Sequence, residues 1–169
     1  MADVMTPEQR SRCMAAIRGI DTKPEMVVRK FLFSKGLRYR IQVKNLPGHP
    51  DIVLPKSRIV IFVNGCFWHG HEGCKYFRLP KSNVEFWSEK IKTNINRDAR
   101  NETKLRELGW RVIRVWECNL KTIATRYEFL ETLYADITGI RKASGYDVKG
   151  LELPIAAEPE MKYNPHSSV

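Results

Sequence analysis

Two cysteines and two histidines are crowded into one short stretch that contains two glycines, Cys66-Phe67-Trp68-His69-Gly70-His71-Glu72-Gly73-Cys74. Thiolates and imidazoles are the ligands that Zn²⁺ prefers, and a structural zinc site needs four of them. Cys118, at the end of a predicted strand, is available as a remote ligand, whereas Cys13 lies in a predicted amphipathic helix and is less suitable. His69 and His71 are equally suitable as the nitrogen ligand, and the unused one becomes a candidate for catalysis. The alternative is that the cysteines are buried small apolar residues, but their clustering with histidine favours zinc.

An acidic residue, Asp51, follows Pro50 at the head of a predicted strand. The next predicted strand ends at Val63 and Asn64, beside the Cys/His stretch. Its end could bring a backbone carbonyl to a metal ion bound by Asp51. Mg²⁺ takes few protein ligands and keeps its waters. In hydrolysis such an ion activates water, while a nearby imidazole moves a proton. A Pro-Asp pair alone would more often cap a turn. The metal-binding interpretation of Asp51 therefore depends on the neighbouring strand end.

Two further carboxylates have both a structural and a catalytic interpretation. Asp98 shares a helical stripe with Ile91 and Ile95, so it faces inward and needs a partner. It could orient a histidine through the second ring N–H, but an ion pair with a helix arginine is favoured. Glu25 stands three residues after Thr22, and a capping box fully explains it.

Aromatic residues flank the Cys/His stretch and begin the predicted long helix, as Phe67 and Trp68 and as Phe86 and Trp87. Core packing explains most aromatic residues. Adjacent Phe and Trp in a polar loop are harder to bury together, and apolar wedges inserted between base pairs distort DNA. Nearby basic residues could contact phosphates or form a solvated helix face; they are Lys75, Arg78, Lys81, Lys90, Lys92, Arg97 and Arg100.

Helices and strands that position these residues are predicted from hydrophobic spacing. Thr6-Pro7-Glu8-Gln9 and Thr22-Lys23-Pro24-Glu25 are typical helix starts, for helices that reach about Arg18 and Gly36. Alternation predicts strands at 39–43 and 111–116. Apolar runs on either side of the Pro55-Lys56-Ser57 turn predict strands at 51–54 and 58–63. A long helix over 84–108 ends at Gly109, and a last helix spans about 122–140. The stripe of the long helix comprises Val84, Trp87, Ile91, Ile95, Leu105 and Leu108.

Composition predicts one domain with short extensions. A chain of 169 residues with 43% hydrophobic residues can bury one core, which we place at 21–141, between an N-terminal helix in 1–20 and a weakly ordered extension at 142–169. Lys+Arg exceed Asp+Glu by 29 to 19, and this net charge of +10 suits a partner that carries phosphates, though ribosomal, membrane-surface and heparin-binding proteins share it. Neither a signal peptide nor a long apolar stretch is evident, which indicates a cytosolic protein without a membrane partner.

From Met1 to about Leu120 the chain resembles the Vsr mismatch endonucleases, a branch of the restriction-endonuclease-like fold. The matching motifs are Met-Ala-Asp-Val at the start, Leu46-Pro47-Gly48-His49-Pro50-Asp51, Gly65-Cys66-Phe67-Trp68-His69, Glu85-Phe86-Trp87-Ser88-Glu89-Lys90-Ile91, Glu107-Leu108-Gly109-Trp110-Arg111-Val112 and Val115-Trp116-Glu117-Cys118. The resemblance implies an α/β restriction-endonuclease-like core, with a central mixed sheet flanked by helices and a structural zinc site.

Roles for individual residues also follow from this resemblance. It implies Zn²⁺ on Cys66, His71, Cys74 and Cys118, and Mg²⁺ at Asp51 and the Val63 carbonyl. It implies that His69 is the general base or proton shuttle, oriented by Asp98, with Glu25 as an acidic active-site residue. DNA contacts are implied for the aromatic wedge of Phe67, Trp68 and Trp87, and for Met14, whose helix would clasp the duplex from the other groove.

The resulting hypothesis is a monomeric bacterial enzyme of the cytoplasm and nucleoid that nicks double-stranded DNA 5′ of the mismatched T in a T:G mispair. Such mispairs arise when 5-methylcytosine is deaminated, and a polymerase and a ligase would complete the repair. The family commonly has His where this chain has Asn64, and Asn cannot exchange a proton. A second hypothesis is therefore a catalytically impaired protein that binds mismatched DNA. A third is a zinc-held protein-interaction domain without DNA, whose binding would be insensitive to salt.

Overall fold

The computed structural model describes Thr6, Glu8, Gln9, Arg12 and residues 19–139. It contains the helices α1 (Lys23–Ser34), α2 (Val84–Glu107) and α3 (Ile123–Thr138) and the strands β1 (Ile52–Leu54), β2 (Ile59–Asn64) and β3 (Arg111–Trp116). Short 3₁₀ turns follow β1 at Pro55–Ser57 and β3 at Glu117–Leu120. Most of the predicted 1–20 unit, with Cys13 and Met14, and the whole 142–169 extension lie outside the described residues.

The strands form one mixed sheet in the order β1-β2-β3. β1 pairs antiparallel with β2, with Ile52 opposite Ile61. β2 pairs parallel with β3, with Asn64 opposite Trp116. The long α2 lies between these two parallel strands in the chain, as a crossover between parallel strands requires. A mixed sheet flanked by helices confirms the α/β class expected from the sequence.

Both faces of the sheet are covered by apolar side chains, which alternate along each strand. One face packs against α1 and α3, through Ile52, Leu54, Ile59, Ile61 and Val115 on the strands and Val28, Leu32, Leu130, Leu133 and Ile137 on the helices. The opposite face packs Val53 and Val60 against Leu46 and Leu105, the latter from α2. Because the sheet interior is filled on both sides, polar groups that do chemistry are placed at the strand ends.

Helix boundaries follow the predicted signals. The Thr22 side chain accepts a hydrogen bond from the Glu25 backbone, and the reciprocal contact completes a capping box at the start of α1. Gly36 and Gly109 follow the ends of α1 and α2 with φ of 82° and 76°, the left-handed conformation that a glycine adopts without strain. The predicted helices at these positions are confirmed.

The strand predicted at 39–43 was wrong. Only an isolated bridge joins Arg40 to Val53, and Gln42 has a φ of 52°, which interrupts an extended chain. The apolar stripe of α2 is also only partly buried, since Ile91 and Leu105 are covered while Ile95 is 43% exposed. The first half of α2 lies against the Cys/His stretch instead of the sheet, as the following section describes.

Candidate active site and metal centre

Asp51 lies immediately before β1, beside the end of β2. The Val63 backbone N–H donates a 2.7 Å hydrogen bond to Asp51 Oδ2. The pKa of Asp51 is raised to about 6, mainly by burial and to a smaller extent by the nearby Glu25 carboxylate, while the Val63 hydrogen bond opposes the shift. The negative charge of a half-buried carboxylate is unfavourable beside a second carboxylate. A cation between the two would therefore be stabilising.

Glu25 is only 3% exposed and approaches the same place from α1. Its Oε1 accepts a 2.7 Å hydrogen bond from the Thr22 hydroxyl, and its Oε2 accepts 2.8 Å and 3.1 Å hydrogen bonds from Arg29 and from the Asp21 backbone. The capping box explains part of this arrangement, as the sequence indicates. The buried Arg29 contact was missed, although the i,i+4 spacing of Glu25 and Arg29 on a helix is a signal for it.

His69, in the loop after β2, contacts Asp98 of α2. The distance between His69 Nδ1 and Asp98 Oδ2 is 2.5 Å, and Arg97 also contacts the other Asp98 oxygen at 3.2 Å. Burial acts in the opposite direction, but His69 and Arg97 hold the pKa of Asp98 below its usual value. An ionised Asp98 can only accept, so Nδ1 carries the hydrogen and the remaining ring nitrogen, Nε2, can accept a proton. Both partners weighed for Asp98 from the sequence are therefore present.

One cleft of about 540 Å³ brings the predicted active-site residues of four segments together. Its lining includes Glu25, Asp51, Val63, Asn64 and His69. Asn64 is 5% exposed at the end of β2 and, like His69, also lines an adjoining cavity that reaches Asp98. Carboxylate and carbonyl oxygens are the ligands that Mg²⁺ prefers, so the residues of this cleft fit that cation.

A second group, of soft ligands, comes from the same loop and from the turn after β3, and we call it the Cys/His group. Cys66, His71, Cys74 and Cys118 each offer one ligand atom, and all four atoms lie within 4.8 Å of one another. The His71 Nδ1 atom lies 3.5 Å from the Cys118 sulfur. A tetrahedral zinc site with Zn–S bonds of about 2.3 Å separates its sulfurs by roughly 3.8 Å. Three thiols and one imidazole at these separations therefore fit Zn²⁺.

Burial disfavours the charged form of two of the three thiols, and a bound cation would offset this cost. Burial raises the pKa of Cys66 to about 12 and also raises the pKa of Cys118. A hydrogen bond from the Tyr76 backbone lowers the pKa of Cys74. A coordinating thiol is deprotonated by its metal ion, so a dication among these sulfurs would remove the penalty on their charged forms.

Gly70 separates the two histidines. It has a φ of 59°, and a β-carbon there would lie 2.6 Å from the Ile95 Cδ1 atom and 3.0 Å from Ile91. The loop is therefore pressed onto α2, where the Asn94 side chain also donates a 2.9 Å hydrogen bond to the Trp68 carbonyl. Neither contact was predicted from the sequence, although a Gly between two histidines was visible. With the loop held close to α2, the two histidines have different partners: His69 contacts Asp98, and His71 lies among the cysteines.

Three aromatic side chains cluster at the rim of the cleft. The ring centroids of Phe67, Trp68 and Trp87 lie between 5.2 and 5.9 Å apart, all in edge-to-face arrangements. Phe86 packs edge-on against Trp87 and is 61% exposed. The remaining predicted DNA-contact residue, Met14, lies outside the described residues. Trp68 lines the cleft together with Asp51 and Glu25, so the half-buried cluster adjoins the carboxylates through this residue.

All seven basic residues suggested as phosphate contacts are exposed; these are Lys75, Arg78, Lys81, Lys90, Lys92, Arg97 and Arg100. Arg97 also contacts Asp98, so one of them links the exposed surface to the cleft. None of the helices within the described residues combines the length and apolar character needed to cross a membrane.

Comparison with known proteins identifies relatives along most of the chain. Residues 2–75 match the family model described as DNA mismatch endonuclease Vsr. The chain is 50% identical over 137 residues to the type II nicking enzyme V.NmeAIP of Neisseria meningitidis, an alignment that covers 81% of this chain and 97% of that protein. It is 43% identical over 155 residues to the DNA mismatch endonuclease Vsr of Escherichia coli, which covers 90% of this chain and 99% of the relative.

A further relative is the type II nicking enzyme V.XorIIP of Xanthomonas oryzae, at 50% identity over 73% of this chain and 90% of that protein. These alignments extend well past the region matched by the family model, through the segments that carry Asp98 and Cys118. The resemblance proposed from the sequence motifs is confirmed. The chain belongs to the Vsr family of DNA mismatch endonucleases.

Proposed function

We propose that this protein is a Mg²⁺-dependent endonuclease that nicks double-stranded DNA 5′ of the mismatched T in a T:G mispair. The observation that carries the proposal is the convergence of the Asp51 carboxylate and the His69 imidazole on one cleft, with Asp98 of a third segment contacting that imidazole. Family membership supports nicking of DNA, since relatives are named as nicking enzymes and as a DNA mismatch endonuclease. The aromatic cluster beside the cleft supports recognition of a mispair through distortion of the duplex.

In the proposed reaction, His69 accepts a proton from the water whose oxygen attacks the phosphorus atom. The P–O bond to the departing nucleotide breaks, and the oxygen that leaves takes a proton from solvent water. Asp98 holds the ring by accepting the Nδ1 hydrogen, so Nε2 is available and the imidazolium that forms is stabilised. Asp51 and the Val63 carbonyl would hold Mg²⁺, which activates water and offsets charge on the phosphate when bound. Glu25 lines the same cleft and is held in place by the hydrogen bonds that it accepts from Thr22 and Arg29.

Recognition of DNA would divide between wedge and phosphate contacts. Phe67, Trp68 and Trp87 would insert at the mispair, and Met14 from the N-terminal segment would approach from the other groove. A mispair is easier to unstack than a matched pair, so an apolar wedge discriminates between them even before bases are read. The exposed basic residues around α2 would hold the phosphates and make binding sensitive to salt.

The Cys66, His71, Cys74 and Cys118 group would hold Zn²⁺ and stabilise the loop that carries His69. The four atoms come from the loop and from the turn after β3, so their cation would join the two. We propose that the protein acts as a monomer at the bacterial nucleoid in the cytoplasm. A repair polymerase and a ligase would then replace the nicked strand.

Asn64 favours a second candidate function, a mismatch-binding protein whose hydrolysis is impaired. Asn64 is buried at the end of β2 and lines the cleft, where the family commonly has a histidine. An amide can hydrogen-bond a phosphate oxygen but cannot transfer a proton. Under this candidate, Asn64→His would raise the nicking rate by about tenfold or more.

The deciding experiment uses a duplex with one T:G mispair and a different label on each strand, with and without Mg²⁺, beside the matched T:A duplex. We expect cutting of the T strand alone, on the 5′ side of the mispaired T, and only with Mg²⁺. Tight mismatch binding without cutting would contradict the nuclease and support the impaired binder. Absence of affinity for either duplex at low salt would contradict both and leave the protein-interaction hypothesis.

A further inference from the structure

Arg29 lies behind the cleft and reaches both of its carboxylate-bearing segments. It is 5% exposed within α1. Its Nη2 atom donates a 2.8 Å hydrogen bond to Glu25 Oε2 and a longer one, at 3.5 Å, to the Asp51 backbone carbonyl. Its other arm, Nη1, pairs with Asp21, just before α1. One guanidinium therefore joins the start of α1 to the residue immediately before β1.

The shape of the guanidinium makes this contact a positioning device. Its nitrogen atoms lie in one rigid plane, so contacts on both arms restrict how its partners can move relative to one another. Asp51 and Glu25 belong to different segments, and Arg29 makes the one side-chain hydrogen bond from α1 to the Asp51 backbone among residues 19–139. The distance between the two carboxylates therefore depends on where Arg29 is held.

Stabilisation of the fold is a weak explanation for this buried cation. Its Nε atom is buried without a hydrogen-bond partner, the one such side-chain atom within the described part of the chain. A buried ion pair also often stabilises a protein no better than apolar side chains of similar volume. Because the arrangement leaves a buried donor unsatisfied, the position in which Arg29 holds Glu25 and the Asp51 backbone explains it better than a gain in stability does.

We propose that Arg29 is a positioning residue for phosphodiester cleavage, which acts by holding the Glu25 carboxylate and the Asp51 backbone at a fixed separation. The inference rests on the proposed nuclease function for its consequence in the reaction. Its structural part, the placement of oxygen ligands around a divalent cation, does not require that function. The two parts can therefore be tested separately.

The central variant is Arg29→Lys, which retains the positive charge but loses the planar fork. Because the charge is retained, a weaker cation site in this variant would report altered geometry and not altered electrostatics. The matched control is Lys35→Met at the residue that follows α1, which removes a different ion pair, the 2.6 Å contact between Lys35 and Glu131. Lys35 faces α3 and does not line the cleft.

Three quantities should be measured for each variant: the midpoint of thermal unfolding, the affinity for Mn²⁺ by electron paramagnetic resonance, and kcat and KM for nicking. Mn²⁺ serves as the probe because it takes the same oxygen ligands as Mg²⁺. For Arg29→Lys we expect Mn²⁺ affinity to fall about fivefold or more and kcat about tenfold or more, with KM for DNA within twofold. For Lys35→Met we expect a comparable loss of thermal stability without these changes.

The proposal is overturned if folded Arg29→Lys keeps its Mn²⁺ affinity and kcat within twofold, or if Lys35→Met changes them as much. If the wild-type protein cuts no DNA, reduced Mn²⁺ affinity in Arg29→Lys still supports the placement while the nuclease proposal fails. If Arg29→Lys does not fold, Asp21→Asn at the exposed end of the network replaces it. That variant should lower Mn²⁺ affinity about two- to threefold, and unchanged affinity would overturn the proposal.

Discussion

The cleft around Asp51 and the Cys/His group lie on either side of one loop, yet they differ in ligand chemistry and in construction. The cleft is lined by oxygen donors from α1, the start of β1 and the end of β2, with an imidazole held by Asp98. The Cys/His group is made of three sulfurs and one nitrogen. Hard oxygen ligands suit Mg²⁺ and soft thiolates suit Zn²⁺. Two adjacent regions can therefore hold different cations without exchanging them.

Gly70 shows how such close neighbours are kept apart. His69 and His71 flank it, and its positive φ and its contact with Ile95 hold the loop on α2. The rigid α2 then presents Asp98 to one histidine, while the turn after β3 presents Cys118 to the other. Identical side chains two residues apart thus acquire different chemistry from the partners that the fold provides.

The largest expected effect comes from removing the charge of Asp51. Asp51→Asn keeps an oxygen that can accept the Val63 N–H, but it removes the anionic ligand of the cleft. We expect the Mg²⁺-dependent nicking rate to fall by about a thousandfold or more, because a catalytic metal contributes several kcal/mol to transition-state stabilisation. Single-turnover nicking of the T:G duplex measures this. Mismatch affinity should stay within about threefold, and a variant that still cuts would refute the assignment.

A variant of the other region should give the complementary result. Cys74→Ser is expected to remove the bound zinc and to destabilise the protein by several kcal/mol, roughly 3 or more, since structural zinc contributes directly to folding. Zinc content by mass spectrometry and thermal unfolding are the measurements. Cys13→Ser provides the control, because Cys13 is not in the Cys/His group that the described residues form. One zinc per chain in Cys74→Ser would show that the ligand set is different.

A smaller effect is expected from Asp98→Asn. The asparagine can still contact His69, but it neither favours one ring tautomer nor stabilises the imidazolium. We expect kcat to fall about 10- to 100-fold, as for other residues that orient a functional imidazole. Zinc content should be unchanged, since Asp98 contacts His69 and not the Cys/His group. Loss of zinc together with activity would show that the two regions are coupled through the loop.

The smallest effect concerns stability and pH. The pKa of Asp51 is about 6 in the folded protein, against 3.8 for the free side chain. The folded state thus binds this proton more tightly, and ionisation destabilises it progressively as the pH rises from about 3.8 to about 6. In Mg²⁺-free buffer, Asp51→Asn should be more stable than the wild type by about 1–3 kcal/mol at pH 7.5.

Urea denaturation at pH 5 and pH 7.5 measures this difference, which should be smaller at pH 5. The exposed variant Asp136→Asn serves as the control. A difference between Asp51→Asn and the wild type that does not change with pH would show that burial does not penalise the Asp51 charge.

The same contrast explains which parts of the molecule could be predicted from the sequence. Three members of the Cys/His group lie in one short stretch, so their spacing was enough to indicate a metal site. Spacing could not choose between His69 and His71, because the choice depends on how Gly70 packs against α2. Helix ends were predictable because Thr22, Gly36 and similar residues act locally.

The cleft was less accessible to such reasoning because its contacts are long-range. The contact of Arg29 with the Asp51 carbonyl joins residues far apart in the chain, so the sequence around either residue does not predict it. The strand predicted at 39–43 failed because one residue, Gln42, takes a left-handed conformation that alternation does not reveal. The motif resemblance supplied the residues of the cleft, while their geometry required the fold.

The central claim is that the oxygen-lined cleft holds the cation needed for nicking and that the Cys/His group holds a separate, structural one. The most direct test follows zinc content and T:G nicking in one sample while Mg²⁺ is removed by dialysis and then restored. We expect nicking to stop when Mg²⁺ is removed and to return when it is restored, while one zinc per chain remains throughout. Nicking that persists without Mg²⁺, or that is lost and regained in step with zinc, would contradict it.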